Sequence, residues 1–193
     1  MKHFFRIIFV FAFGLGFAQS KWGTSFEMDF VFPNKKDYFY NDDKNKIIEK
    51  ELKEDGFLLN SFGFQGSRNY FLFKKLSIGL IGGFQTQSKP NFSMIKLGGV
   101  LKYFFVDRNN VYIYLQEVNN FTLNKKRFRN GNNLRLGLGI PFIKKDNFNI
   151  IGNLFFEQNY FKLDGSKPLL GGSNERPRSL TVKSFGASLG VKF

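Results

Sequence analysis

Ser184-Phe185-Gly186-Ala187-Ser188-Leu189-Gly190-Val191-Lys192-Phe193, at the carboxyl end of the sequence, alternates strictly in character. Successive side chains of an extended chain point to opposite sides. Phe185, Ala187, Leu189, Val191 and Phe193 therefore share one face, and Ser184, Gly186, Ser188, Gly190 and Lys192 share the other. The stretch reads as a strand with one apolar face and one small or polar face.

The same rhythm recurs along the chain. Thr24, Phe26, Met28, Phe30 and Phe32 alternate with Ser25, Glu27, Asp29 and Val31 in a first strand of about residues 22–32, which Pro33-Asn34 is expected to end. Phe62, Phe64, Tyr70 and Leu72 mark a second strand of about 57–72, followed by a tight turn at Phe73-Lys74-Lys75. Leu76, Ile78, Leu80, Gly82 and Phe84 form one face of a third. Ile95, Leu97, Gly99, Leu101, Tyr103 and Phe105 oppose Lys96, Gly98 and Lys102 in a fourth, and Asp107 to Asn110 turns the chain. The fifth, about 111–118, is apolar on both faces through Val111-Tyr112-Ile113-Tyr114-Leu115, so pattern alone leaves its register open. With Tyr112 and Tyr114 outward, Glu117 would face inward among polar groups, the cheaper place for a carboxylate. Leu134, Leu136, Leu138, Ile140 and Phe142 against Arg135, Gly137 and Gly139 give a sixth. Phe148, Ile150, Gly152, Leu154, Phe156 and Tyr160 against Asn149, Asn153, Glu157 and Asn159 give a seventh, and about 179–193 is the eighth.

The connections alternate long and short. Residues 34–56, 86–92, 119–132 and 161–178 are long, and the three between them are turns. Within 34–56, Ile47, Ile48 and Leu52 fall at helical spacing, but the density of charge favours a solvated loop over a partner-binding helix. An even strand count with long connections at one end and short ones at the other is the pattern of an up-and-down transmembrane barrel, whose long loops face outside and whose short turns face the periplasm. Most of the segments supply the roughly nine to eleven tilted residues that a spanning strand needs.

Alternation alone does not say which face is inside, because a soluble lipocalin-like carrier has the same period. Volume decides. An eight-stranded lumen is just wide enough to be filled by side chains. Phe26, Phe30, Phe62, Phe64, Phe84, Phe105, Phe142, Phe156, Phe185 and Phe193 are too bulky to share it, whereas the Gly, Ser and Asn of the opposite face fit. The apolar face is expected to meet lipid. Arg68 and Lys183 then fall on that face near strand ends, where a long cation reaches the interface, unless a bulge near Gly66 turns Arg68 inward.

Composition agrees. The sequence of 193 residues carries 28 Phe, yet its mean hydropathy is −0.24. Lys2 and Arg6, the apolar run Ile7 to Phe17, and Gly16-Phe17-Ala18 read as a secretory signal peptide cut after Ala18, leaving residues 19–193 as one barrel domain. The run is well short of the roughly twenty residues a membrane-spanning helix needs. Cleavage leaves 27 bases against 15 acids and removes His3, the only histidine; there is no cysteine.

The hairpin Phe71-Leu72-Phe73-Lys74-Lys75-Leu76-Ser77-Ile78-Gly79-Leu80, the stretch Leu101-Lys102-Tyr103-Phe104-Phe105 and the terminal strand resemble the small eight-stranded bacterial outer-membrane barrels of the OmpA/OmpX type, without a periplasmic domain. The resemblance is one of pattern and covers essentially the whole mature chain. It implies an all-β, antiparallel transmembrane barrel in the bacterial outer membrane, and far less about activity. It also implies that Phe185, Leu189, Val191 and Phe193 form the signal read by the barrel-insertion machinery.

Without His or Cys in the mature chain, Ser-His and Cys-His nucleophiles, Asp-His protease pairs and histidine metal sites are unavailable. Glu27 and Asp29 lie two apart on one face, but with Glu157 they point inward together with Lys96, Lys102 and Arg135. Mutual charge balance in the lumen is the expected role, since a buried charge is tolerated when paired. Gly79, Gly82, Gly83, Gly137 and Gly139 lie within strands, not in a phosphate loop. Lys125, Lys126, Arg127 and Arg129 form the densest basic cluster, suited to glycolipid phosphates or an acidic partner at the surface. Nucleic acid is an improbable partner for an exported barrel. The sequons at Asn91 and Asn120 carry little meaning in a bacterial membrane protein.

The expected function is a structural or surface-interaction role, exerted through the extracellular loops on an extracellular partner, without catalysis and without a cofactor. Two alternatives stand beside it: a narrow pore for small solutes or ions, and a soluble carrier of apolar ligands.

Overall fold

A computed structural model describes residues 21–52, 59–89, 91–123, 128–163, 167–171 and 175–193. The expected signal peptide, residues 1–18, lies outside them, as do Lys125, Lys126 and Arg127. Nine strands run in chain order: β1 Trp22–Asn41, β2 Ile47–Leu52, β3 Ser61–Phe71, β4 Leu76–Gln87, β5 Phe92–Phe104, β6 Tyr112–Thr122, β7 Gly131–Lys144, β8 Asn149–Lys162 and β9 Arg176–Lys192. All pair antiparallel with their neighbours, and β9 pairs back onto β1. Eight strands thus close a barrel, and β2 is an addition to its rim.

That addition corrects the expectation for 34–56. β1 does not stop at Pro33. Below Pro33 it lies between β9 and β3, pairing with β3 from Trp22 to Val31. Above it, Lys36 to Asn41 pairs with β2 on the side that β3 has vacated. Pro33 sits in the gap between these two ladders and at a bulge against β9, where its missing N–H removes no bond from the β3 side. Ile47, Ile48 and Leu52 are therefore strand residues and not a helical stripe. The hairpin turns at Asn45, in the left-handed region at φ 58°. The Asp42 carboxylate there accepts the N–H groups of Lys44 and Lys46 at 2.9 and 2.8 Å.

Register fixes the geometry of the cylinder. One row of paired residues runs Thr24, Arg68, Leu80, Gly99, Glu117, Leu134, Gln158, Lys183 and back to β1 at Lys35, eleven residues further along the strand. Such a stagger requires strands tilted by about 35–45°. With strands about 4.8 Å apart, the row climbs about 3 Å per strand from the periplasmic to the extracellular side.

The Phe side of every strand points outward. Phe26, Phe64, Phe84, Phe105, Phe142, Phe156, Phe185 and Phe193 are exposed on the outer surface, and Phe30 and Phe62 share it, edge to face at 5.6 Å. This excludes the soluble carrier, whose apolar face would line a cavity. Arg68 also stays outside, since neither β3 ladder has a bulge, and its guanidinium lies 5.0 Å from the Trp22 ring. Lys183 faces outward and pairs with Asp37 at 3.1 Å, near the extracellular end of the row.

Two expectations about the interior need revision. Tyr112 and Tyr114 face inward, and Glu117 faces outward. The reason lies across the ladder: Tyr112 is paired with Gly139 and Tyr114 with Gly137, and a side chain at either glycine would collide with the ring above it. Nor is the lumen only small and polar. Phe71, Phe104 and Phe155 join Tyr112 and Tyr114 in its periplasmic half, while Tyr38, Phe92, Met94, Phe128, Phe161 and Leu180 close its extracellular mouth. β4 through β8 also run further than pattern suggested, taking up parts of the connections 86–92 and 119–132.

Candidate functional site: a filled and charge-balanced lumen

Between the two apolar plugs lies a layer of polar side chains. β1 contributes Glu27 and Asp29, β5 Lys96 and Lys102, β7 Arg135 and β8 Glu157, all buried and all pointing inward. They arrive there because each occupies an inward position of its strand, so the two-residue period alone brings six charges from four strands together.

Arg135 is the centre of one group. Its Nη2 lies 2.8 Å from Asp29 Oδ2 and 2.8 Å from Glu157 Oε2, and its Nε donates to the same Glu157 oxygen at 3.1 Å. Lys96 Nζ approaches that carboxylate at 3.4 Å. The guanidinium carbon is 3.8 Å from the Phe155 ring centroid, a cation–π contact removed from water. Glu27 organises the second group. Gln65 donates to it at 3.0 Å, Asn153 at 3.2 Å and Ser25 at 3.2 Å, with Lys102 3.9 Å away.

Sequence reasoning named the six charges and missed the amides that complete their shells. Asn133, Asn159 and Gln85 donate to Glu157 at 3.2, 2.9 and 3.4 Å. Their inward parity was legible, but the partner each would choose was not. Three carboxylates against three cations leave this layer neutral. The arrangement suits structure, because Glu27 and Glu157 each accept from several buried donors and Asp29 pairs with Arg135, while Asp29 Oδ1 and Arg135 Nη1 are buried without a hydrogen-bond partner among the described residues. Two voids within the lumen, one beside Phe104 and Lys192 and one beside Gln65 and Tyr114, measure about 10 Å³ each. Each has room for one water at most. Among the described residues no cluster of three or more potential metal ligands occurs.

The remaining residues singled out from sequence lie elsewhere. Phe185, Leu189 and Phe193 are exposed on the outer wall and Val191 is half-buried beside them. Phe193 and Thr24 exchange backbone hydrogen bonds, the N–H of Phe193 reaching the Thr24 carbonyl at 2.8 Å, so this strand seals the cylinder. Of the basic cluster only Arg129 is described; it is exposed, and its backbone N–H donates to the Lys162 carbonyl at 2.9 Å.

No protein-family model matches the chain, and no curated protein matches it by sequence. Solved structures do. The chain is similar to the outer membrane protein AlkL, solved by solid-state NMR in DMPC lipid bilayers, with a TM-score of 0.52 and 12% identity over 92% of this chain and 91% of that one. It is also similar to the outer membrane protein OprG from Pseudomonas aeruginosa, with a TM-score of 0.52 and 10% identity over 90% and 95% of the two chains. At such identities the likeness concerns fold, and the fold is that of a small bacterial outer-membrane β-barrel. Together with the outward apolar band it places the chain in the outer membrane.

Proposed function

We propose that this barrel is a non-conducting, non-catalytic outer-membrane protein that acts through its extracellular side. The observation that carries the reading is the filled lumen. A hydrated path would have to cross the apolar mouth, the Arg135–Glu157 layer and the Tyr112–Phe104 floor in turn. The narrow pore has no comparable support. In planar bilayers the purified barrel should give no steady conductance, and reproducible unitary steps would overturn the proposal.

The extracellular side, by contrast, is built to project. β1, β2 and β9 continue past Pro33 as a three-stranded extension with charged outer positions, including Lys35 between Asp37 and Glu51 at 3.2 and 3.0 Å. The partner chemistry we assign to this side is anionic, namely the phosphates of surface glycolipid, met by Lys125, Lys126, Arg127 and Arg129. Neutralising all four should abolish glycolipid retention by the folded barrel; unchanged retention would remove this assignment. We further propose that the outward Phe185, Leu189, Val191 and Phe193 edge is the portion that the insertion machinery reads. Substituting Phe193 by Ala should slow assembly into membranes without changing the fold finally reached.

A further inference from the structure

At mid-depth the outer wall is apolar, Leu134, Leu136, Leu154 and Phe156 included, except at Glu117, and above Glu117 it turns polar on one side of the cylinder. On β1, β3 and β4 it presents Met28, Phe64 and Phe84. On β6, β7 and β8 it presents Glu117, Asn119, Asn132 and Gln158, all exposed. These four are contiguous. Glu117 and Asn119 are successive outward residues of β6, Asn132 is the register partner of Asn119, and Gln158 is the partner of Leu134 beside it.

Depth makes the patch anomalous. Glu117 stands midway along the row that leaves β1 at Thr24 and returns at Lys35, four strands from each crossing. At about 3 Å of climb per strand it lies about 12 Å from the level of Thr24 and from that of Lys35, near the middle of the apolar band about 25 Å tall that such barrels present. Asn119, Asn132 and Gln158 lie within the outer half. None of the four side chains makes a hydrogen bond or ion pair with another described residue. Hydrocarbon offers none either, and polar groups at this depth mark contacts with protein.

We propose that the β6–β8 wall is a homodimer interface, in which Glu117, Asn119, Asn132 and Gln158 of two barrels hydrogen-bond across a two-fold axis along the membrane normal. A second copy fits because the patch is self-complementary. Each amide carries both donor and acceptor, so Asn119 and Asn132 of one barrel can pair with those of the other. The acceptor-only Glu117 carboxylate can take an N–H of the partner's Asn119, one outward position higher on the same strand. A two-fold axis keeps every group at its own depth, so Asn119 and Asn132 meet their counterparts nearly level, and the Glu117 side chain has about 5 Å to reach upward to the partner's Asn119.

The chain has no cysteine, so a single introduced thiol is a clean reporter. In native membranes under mild oxidation, Asn119→Cys should give a disulfide-linked dimer, while Phe30→Cys, at similar depth on the opposite wall, should not. Equal crosslinking at both sites, or none at Asn119, would overturn the proposal. A second variant separates interface from fold. Glu117→Leu with Asn119→Leu and Asn132→Leu should retain the heat-dependent gel shift of a folded barrel while dimerising at least tenfold more weakly in lipid. Unchanged association of that variant, or a wild-type barrel monomeric at every density in lipid, would place lipid or an unrelated protein on this wall and end the assignment.

Discussion

Arg135 on β7 and Glu157 on β8 are direct register partners, and two nitrogens of the guanidinium converge on one carboxylate oxygen, at 3.1 and 2.8 Å. Because the same guanidinium also holds Asp29, removing it strands two buried carboxylates at once. Arg135→Leu should therefore cost about 3–5 kcal/mol, read as a lower urea midpoint in lipid vesicles. Neutralising the group as a set, with Arg135→Met, Lys96→Met, Asp29→Asn and Glu157→Gln, should recover most of that loss. Should the single and quadruple variants unfold together, the network contributes nothing specific.

Gly98 and Gly99 are neighbours on β5 with opposite tolerances. A methyl group on the inward Gly98 would press on the Glu117 carbonyl and come within 2.6 Å of Val118 Cα, backbone that can yield only if β6 shifts. On the outward Gly99 its nearest neighbour would be the Gly79 carbonyl oxygen at 3.7 Å, ordinary contact. Gly98→Ala should destabilise the barrel by about 1–3 kcal/mol, and Gly99→Ala should change stability by about 0.5 kcal/mol at most. The pair can be compared by urea titration, and equal effects would contradict this account of the wall.

These two residues also show what a sequence discloses and what it conceals. The outward faces were legible because a two-residue period combined with lumen volume leaves a Phe-rich face nowhere else to go. The inward charges were legible by the same parity. The direction of β6 was not, because both its faces are apolar near Tyr112 and Tyr114. The choice is made by Gly137 and Gly139, two dozen residues later, which leave room for the rings inside. β2 was hidden for a different reason. Above the membrane both faces of a strand can meet water, so Glu49, Lys50 and Glu51 carry no alternation to read. That β1 passes through Pro33 depends on where β3 ends and β2 begins, a relation between strands that no local pattern contains.

Phe161 tests the extracellular plug. It is fully buried, 4.9 Å from Phe92 and 6.1 Å from Phe128 between ring centres. Phe161→Ala should cost about 3–5 kcal/mol of stability through the cavity it leaves. It should still give no conductance, because the charged layer and the aromatic floor remain below. Open channels from this single substitution would show that the mouth alone seals the barrel.

Tyr38, on the part of β1 beyond Pro33, holds Glu175, the residue before β9, and through it Leu169 and Leu170. Its phenol donates to Glu175, whose Oε1 also accepts the N–H groups of Leu169 and Leu170 at 3.1 and 3.3 Å. Burial, and then the carboxylate that accepts its proton, hold the Tyr38 phenol above the ordinary tyrosine range. A raised value in the folded state means that this contribution is complete below about pH 10, where a free tyrosine titrates. It is lost as pH climbs from there toward the folded value. Protease cleavage between Leu169 and Glu175 should therefore stay slow through neutral pH and accelerate above about pH 10, while the barrel itself remains folded. Tyr38→Phe should cost about 1–2 kcal/mol locally at neutral pH and remove Tyr38's share of the alkaline acceleration. A variant whose cleavage still tracks pH as the wild type does would show that another group fastens this segment.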